Sequence, residues 1–210
     1  MVKIAPSILA ADFENLEEEI KDVEIAGADY IHIDVMDGEF VTNKTPGLEM
    51  LKRSNAVTNL ILDTHLMVEN PLDWLEDFSE SDIITFHIEA VNEEIAYKII
   101  EELHEKEIKV GMSIKPDTSV DEIMPYIDKI DMILIMTVEP GKGGQTLIPE
   151  CLEKVKMIRE IAPDLDIEVD GGVNLETIQM VKNAGANVIV AGTAIFGSED
   201  RKSVIDKFKS

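Results

Sequence analysis

The chain has 210 residues, 45% of them apolar and 30% charged, which allows one domain with a sizeable core and is typical of soluble globular proteins. Its formal net charge of −24 argues against a nucleic-acid-binding protein, because such proteins need a basic patch. No apolar run approaches the roughly 20 residues of a membrane helix, and the N-terminus lacks a signal-peptide pattern, so we expect a cytoplasmic protein without membrane partners.

Short β-branched runs alternate with amphipathic, acidic segments along the chain. Eight runs are predicted to be strands: Lys3–Leu9, Tyr30–Val35, Leu60–Leu66, Ile83–Ile88, Lys109–Ile114, Met132–Thr137, Asp166–Val169 and Val188–Ala191. Four segments carry helix patterns: Glu14–Ala26, Asn92–Glu107, Pro149–Ile161 and Leu175–Asn183. This alternation predicts an α/β fold, a single-domain (β/α)8 TIM barrel over residues 1–210. A doubly wound open sheet is the alternative, but it would favour a glycine-rich turn after the first strand, and A-P-S-I-L-A-A-D has none.

Polar side chains mark the ends of several predicted strands, where a barrel keeps its active site. His32 and Asp34 are two residues apart, so both point to the same face of their strand. His65 ends the third strand and Asp170 follows the seventh. Buried charges need partners, and two imidazoles with two carboxylates suit one divalent ion, such as zinc, iron(II), manganese or cobalt. The sequence therefore predicts a metal site from these four residues, with His87 outside the ligand set.

Glycine-bearing loops follow the last three predicted strands. They are P-G-K-G-G-Q (140–145), Gly171-Gly172 and Gly192-Thr193. Glycines let backbone N–H groups approach phosphate oxygens, and barrels commonly bind phosphate in the loops after strands 7 and 8. We therefore predict a phosphate site, to which Lys142 could add a positive charge. Three methionines at strand ends suit packing at the top of the barrel or an apolar wall around a reacting group: Met36, Met67 and Met136.

Seven motifs follow one another along almost the whole chain: S-I-L-A-A-D (7–12), H-I-D-V-M-D-G-E-F-V (32–41), H-L-M-V (65–68), T-F-H-I-E-A (85–90), M-T-V-E-P-G-K-G-G-Q (136–145), E-V-D-G-G-V (168–173) and A-G-T-A-I-F (191–196). As a set they resemble the ribulose-phosphate 3-epimerase family. The resemblance implies a ribulose-phosphate-binding barrel that interconverts D-ribulose 5-phosphate and D-xylulose 5-phosphate. It places the chain in carbohydrate metabolism, in the pentose phosphate pathway.

The resemblance also implies roles for individual residues. Asp34 and Asp170 would be the catalytic acid/base pair, because epimerisation removes the C3 proton on one face and returns it on the other. The metal would assist this transfer, which passes through a cis-enediolate. The implied substrate-binding residues are Ser7, His65, Gly141, Lys142, Gly143, Gly144, Asp170, Gly171, Gly172, Gly192 and Thr193. The family's methionine cap maps onto Met36, Met67 and Met136.

Four residues depart from the family pattern: Glu39, Thr42, Lys142 and Leu147. The last two lie by the phosphate loop and bear on substrate affinity. One alternative is the same chemistry on another ketose phosphate, such as D-allulose 6-phosphate. A barrel decarboxylase of the orotidine-phosphate kind would carry D-x-K-x-x-D, where this chain reads D-V-M-D. A non-catalytic sugar-phosphate-binding barrel would need no opposed Asp pair. The expected partners are a small-molecule sugar phosphate and further copies of the chain, in a dimer or hexamer.

Overall fold

The β-branched runs form eight parallel strands of one sheet that curls into a nearly closed barrel, in a computed structural model that describes residues 2–210. Met1, the first residue of the predicted 1–210 domain, lies outside the described residues. The strands are β1 (Lys3–Pro6), β2 (Tyr30–Met36), β3 (Ile61–Met67), β4 (Ile83–His87), β5 (Lys109–Ile114), β6 (Met132–Met136), β7 (Asp166–Asp170) and β8 (Val188–Ala191). Their order in the sheet is β1-β8-β7-β6-β5-β4-β3-β2. The predicted (β/α)8 barrel is confirmed.

Seven α-helices are assigned within the described residues. They are α1 (Leu16–Ala26), α2 (Gly47–Asn55), α3 (Glu93–Glu105), α4 (Leu152–Ile161), α5 (Ile178–Ala184), α6 (Thr193–Phe196) and α7 (Arg201–Lys209). All four predicted helices are present, but α1 and α4 each begin after a 3₁₀ turn, at Phe13–Asn15 and Pro149–Cys151. Helix α5 begins three residues later than predicted, because the side-chain oxygen of Asn174 accepts the N–H groups of Glu176 and Thr177 and holds a turn there. Among residues 2–210, no helix has both the length and the apolar composition to cross a membrane.

Two crossovers contain short 3₁₀ turns in place of a long helix. The chain after β3 forms Pro71–Trp74, and the chain after β5 forms Val120–Glu122 and Met124–Tyr126. Such helices rarely exceed three or four residues, because their hydrogen-bond geometry is poorer than that of an α-helix. These crossovers still cover the barrel, because Leu75, Phe78 and Ile123 are fully buried in its core.

The core lies between the strands and the helices that cover them. Leu16, Ile20 and Val23 of α1 and Ile99 and Leu103 of α3 are fully buried there. Inside the barrel, a second apolar cluster fills the lower part, with Ala5, Tyr30, Ile83, Met132, Val188 and Val190. Polar side chains are concentrated above this cluster, toward the carboxyl ends of the strands.

Strand register brings the polar side chains level with one another. Asp34 of β2 pairs with His65 of β3, and Met136 of β6 pairs with Asp170 of β7. The barrel closes between β1 and β2, where Ser7 forms an isolated parallel bridge with His32. The end of β1, where the barrel closes, therefore lies beside the polar cluster.

Candidate active site

Four side chains from β2, β3 and β7 converge at the carboxyl end of the barrel. One nitrogen or oxygen atom of each of His32, Asp34, His65 and Asp170 lies within 4.8 Å of the others. Oδ1 of Asp34 lies 3.5 Å from Nε2 of His32 and 3.4 Å from Nδ1 of His65. Oδ2 of Asp170 lies 4.0 Å from Nδ1 of His65. The structure thus brings together all four residues of the predicted ligand set.

The two histidines present nitrogen atoms that suit a metal ion. Nε2 of His32 and Nδ1 of His65 are buried and have no hydrogen-bond partner among the described residues. A buried polar atom left in this way costs about 1–3 kcal/mol, so it signals a missing partner. Two imidazoles and two carboxylates form a donor set for a divalent transition metal. The cluster could therefore hold such an ion.

The other ring nitrogens are held by neighbouring side chains. Nδ1 of His32 lies 2.6 Å from Oδ2 of Asp63. Nε2 of His65 lies 2.9 Å from Nε2 of His87, whose Nδ1 lies 3.1 Å from Oε2 of Glu89. All three imidazoles are fully buried. In His32 and His65, the nitrogen that faces the cluster is thus oriented by a contact on the opposite side of its ring.

The two cluster carboxyls have different electrostatic environments. Burial and the charge of Asp34 raise the pKa of Asp170 to about 6. Burial also acts to raise the pKa of Asp34, but His32 and His65 outweigh it and hold that pKa below its usual range. The hydroxyl of Ser7 donates a hydrogen bond of 2.6 Å to Oδ2 of Asp34. The unequal environments are typical of sites where neighbouring carboxyls share a proton.

Two buried acids beneath the cluster were not singled out from the sequence. Asp63 and Glu168 are fully buried, and Oε1 of Glu168 lies 3.7 Å from Nδ1 of His32. Burial and the nearby Asp63 charge raise the pKa of Glu168 well above its usual range. A signal was available, because Asp63 and Glu168 stand two residues before His65 and Asp170 and so share their strand faces.

A cavity of about 470 Å³ opens beside the cluster. Asp34 and Asp170 line it, together with the methionines Met36, Met67 and Met136. The predicted substrate-binding residues that line it are Ser7, Gly141, Lys142, Gly143, Gly144, Asp170, Gly171, Gly172, Gly192 and Thr193. His65, also predicted to contact the sugar, is fully buried and is not among the lining residues in the described part of the chain.

The amide side chains of Gln145 and Asn43, polar candidates for which the sequence gives no decisive signal, hold the glycine loop after β6 in place. Nε2 of Gln145 donates hydrogen bonds to the carbonyls of Glu139 and Lys142, at 2.7 and 2.8 Å. Nδ2 of Asn43, in the loop after β2, donates to the carbonyl of Gly141 at 2.7 Å. The loops after β2 and β6 are thus connected at Gly141, which lines the cavity.

The residues that depart from the family pattern differ in their surroundings. Leu147 is buried and its backbone packs against Gly172, whereas Thr42 and Lys142 are exposed. Glu39 belongs to the turn after β2, where its N–H donates to Asp37. Of the four, only Lys142 lines the cavity.

Comparisons with known proteins agree with this geometry. Residues 3–196 match the model of the Ribulose-phosphate 3 epimerase family. The chain is 46% identical to ribulose-phosphate 3-epimerase of Bacillus subtilis, covering 100% of this chain and 99% of that protein. It is 43% identical to the Schizosaccharomyces pombe enzyme of that name, covering 99% and 92%. Among solved structures, KGPDC from Streptococcus mutans superposes with a TM-score of 0.76 at 14% identity, over 99% of this chain and 95% of that one, a likeness of fold alone.

Proposed function

The chain belongs to the ribulose-phosphate 3-epimerase family, and we propose that Asp34 and Asp170 carry out its reaction as an acid/base pair. It is an isomerase that interconverts D-ribulose 5-phosphate and D-xylulose 5-phosphate. One observation carries the proposal for the pair: both carboxyl groups line the same cavity, from strands that β1 and β8 separate in the barrel.

Inversion at C3 requires a proton to leave one face of the sugar and another to arrive on the opposite face. One carboxylate removes the proton while the other, as a carboxylic acid, delivers its own, and the roles exchange with the direction of reaction. The cis-enediolate formed between the two steps carries negative charge on the oxygens at C2 and C3. A divalent ion held by His32, Asp34, His65 and Asp170, whether zinc, iron(II), manganese or cobalt, would supply Lewis-acid stabilisation of this charge.

The remaining cavity residues bind and enclose the substrate. The glycine loops after β6, β7 and β8 offer backbone N–H groups to the phosphate, with Gly141 to Gly144 on one side and Gly171, Gly172, Gly192 and Thr193 on the other. Met36, Met67 and Met136 provide an adaptable apolar wall that excludes water from the enediolate.

The wider context of the protein also belongs to the proposal. Residues 1–210 form one cytoplasmic domain that assembles into a homo-oligomer, a dimer or a hexamer. Exposed apolar side chains support assembly: Met157 and Ile161 on α4 and Met180 on α5 are each at least 40% exposed. Sedimentation of the purified protein measures the assembly state directly, and a monomer at micromolar concentration would contradict it.

A coupled assay with D-ribulose 5-phosphate tests the reaction and its residues. We expect turnover that is lost after chelation and restored by a divalent metal, with solvent deuterium appearing at C3 of the product. Asp34→Asn and Asp170→Asn should each lower kcat by about 10²–10⁴-fold, the usual contribution of a general acid or base.

Matched histidine variants provide the control. His65→Gln should lose bound metal, whereas His104→Gln, on the outer face of α3, should keep both metal and activity.

Near-normal turnover in either aspartate variant would refute the acid/base pair. A higher kcat/KM for D-allulose 6-phosphate than for the five-carbon substrate would move the assignment to the six-carbon sugar.

A further inference from the structure

We propose that Glu89, at the rim of the barrel, is a positioning residue that acts through His87 to keep the proton of His65 on Nε2. This leaves Nδ1 of His65 as a bare nitrogen that can bind a metal. The inference rests on the metal site of the proposed function, although its main test requires neither metal nor substrate.

The contact between the two imidazoles restricts their protons. Nε2 of His65 and Nε2 of His87 face each other at 2.9 Å, and both rings are fully buried. Two N–H groups or two lone pairs would repel at this distance, so one Nε2 carries a hydrogen and the other accepts it. The distance alone does not say which nitrogen is the donor.

Glu89 determines which of the two histidines donates this hydrogen bond. Its Oε2 lies 3.1 Å from Nδ1 of His87, and an ionised carboxylate can only accept hydrogen bonds. Its Oε1 accepts the N–H of Lys115 at 2.7 Å and the hydroxyl of Thr118, which fixes the carboxylate in place. Nδ1 of His87 therefore carries the hydrogen of the neutral ring. Nε2 of His87 must then accept, and Nε2 of His65 must donate.

The free nitrogen that results is the one the site needs. Nδ1 of His65 is the ring atom without a partner among residues 2–210, and it faces Oδ1 of Asp34 at 3.4 Å. His32 reaches the same condition more directly, because its Nδ1 contacts Asp63 at 2.6 Å and its Nε2 is the bare atom. Glu89 differs in acting from one residue further away and in being held by the loop after β5.

Nitrogen-15 NMR of the metal-free protein measures the tautomer of each histidine. In the unaltered chain we expect His65 with its hydrogen on Nε2 and His87 with its hydrogen on Nδ1. Glu89→Ala should give a mixture of tautomers at His65, whereas Glu94→Ala, on the exposed face of α3, should leave both rings unchanged. His87→Gln should keep the hydrogen of His65 on Nε2, because the carbonyl oxygen of the glutamine can accept it. His87→Leu offers no acceptor and should give a mixture of tautomers at His65.

Metal affinity supplies a second readout, measured with Co²⁺ in competition with a chelating dye. Loss of a group that orients a metal ligand typically weakens binding by 10–100-fold, so we expect about tenfold for Glu89→Ala and near-normal binding for His87→Gln. An unchanged His65 tautomer in Glu89→Ala, or equal effects of His87→Gln and His87→Leu, would overturn the inference. A chain that had the expected tautomers but no epimerase activity would refute the proposed function alone.

Discussion

Ser7 connects the closure of the barrel to its chemistry. Its backbone bridges β1 to His32 on β2, and its hydroxyl donates a 2.6 Å hydrogen bond to Oδ2 of Asp34. The residue is buried, and it also lines the cavity. A short bond to a carboxylate restricts the orientation of that group, and the proton transfer proposed for Asp34 requires such an orientation. Ser7 is therefore placed to orient Asp34, and the proposed function also assigns it a contact with the sugar.

Replacing the hydroxyl separates these two roles. Hydrogen bonds to charged groups contribute about 1.5–3 kcal/mol, so Ser7→Ala should lower kcat about tenfold or more if the bond orients Asp34 during proton transfer. A role in sugar binding alone would instead raise KM and leave kcat unchanged. Steady-state kinetics over a full range of substrate concentration distinguish the two.

Ser113 on β5 provides a matched control. Its hydroxyl is buried in the barrel but has no hydrogen-bond partner among the described residues. Ser113→Ala should therefore change neither kcat nor KM appreciably. If Ser113→Ala were as damaging as Ser7→Ala, the loss would reflect disturbed barrel packing and not the bond to Asp34.

The loops after β6 and β7 pack so closely at Gly172 that this position has no room for a side chain. Gly172 has a φ of +69°, and a Cβ added there would lie 2.2 Å from the backbone nitrogen of Leu147. The hydroxyl of Thr137 ties the same loops together, donating to the carbonyls of Asp170 and Gly171. The position of the glycine loops relative to Asp170 thus depends on backbone contact.

Gly172→Ala should therefore damage both stability and binding. The left-handed conformation and the clash with the Leu147 backbone together suggest a loss of about 2–4 kcal/mol in the free energy of unfolding, with a raised KM. Gly143→Ala is the control, because its Cβ would meet no atom within 4 Å and its φ is not positive. Urea unfolding should give a clearly lower free energy of unfolding for Gly172→Ala than for Gly143→Ala. Equal values would show that the loops can move apart without loss of stability.

The strands were predictable because hydrophobic pattern determines them, whereas helix starts depend on side-chain hydrogen bonds. Lys109–Ile114 and Val188–Ala191 have the same bounds in prediction and structure. The start of α5 is displaced by the turn at Asn174, a local contact that an apolar period does not report. Helix α2 was not predicted at all, since Gly47–Asn55 begins at a glycine and carries only a short apolar stripe.

The predicted ligand set followed from strand ends and two-residue alternation, whereas the contacts that orient its histidines depend on the sheet register. Two-residue spacing identifies His32 and Asp34 within one strand. The contact of His32 with Asp63 joins β2 to β3, and the contact of His65 with His87 joins β3 to β4. Such pairs become visible only once neighbouring strands are aligned.

At the scale of the whole molecule, the protein and its substrate carry charge of the same sign and repel each other. The chain has 43 acidic and 19 basic residues, while a sugar phosphate is an anion. Among the described residues, Lys142 is the one lysine or arginine that lines the cavity, and it is exposed. In the proposed function, binding therefore depends on short-range backbone N–H groups and a metal, which would have to overcome long-range repulsion.

Added salt should accordingly raise the efficiency of this enzyme. The screening length falls from about 30 Å at 10 mM to about 8 Å at 150 mM ionic strength, so repulsion from distant carboxylates weakens while contacts inside the cavity persist. We expect kcat/KM to rise several-fold over this range of potassium chloride, with kcat at saturating substrate nearly constant. Lys142→Met should steepen the dependence, because it removes the local attraction that partly offsets the repulsion. A kcat/KM that fell with salt would show that the field at the cavity mouth is positive despite the net charge of −24.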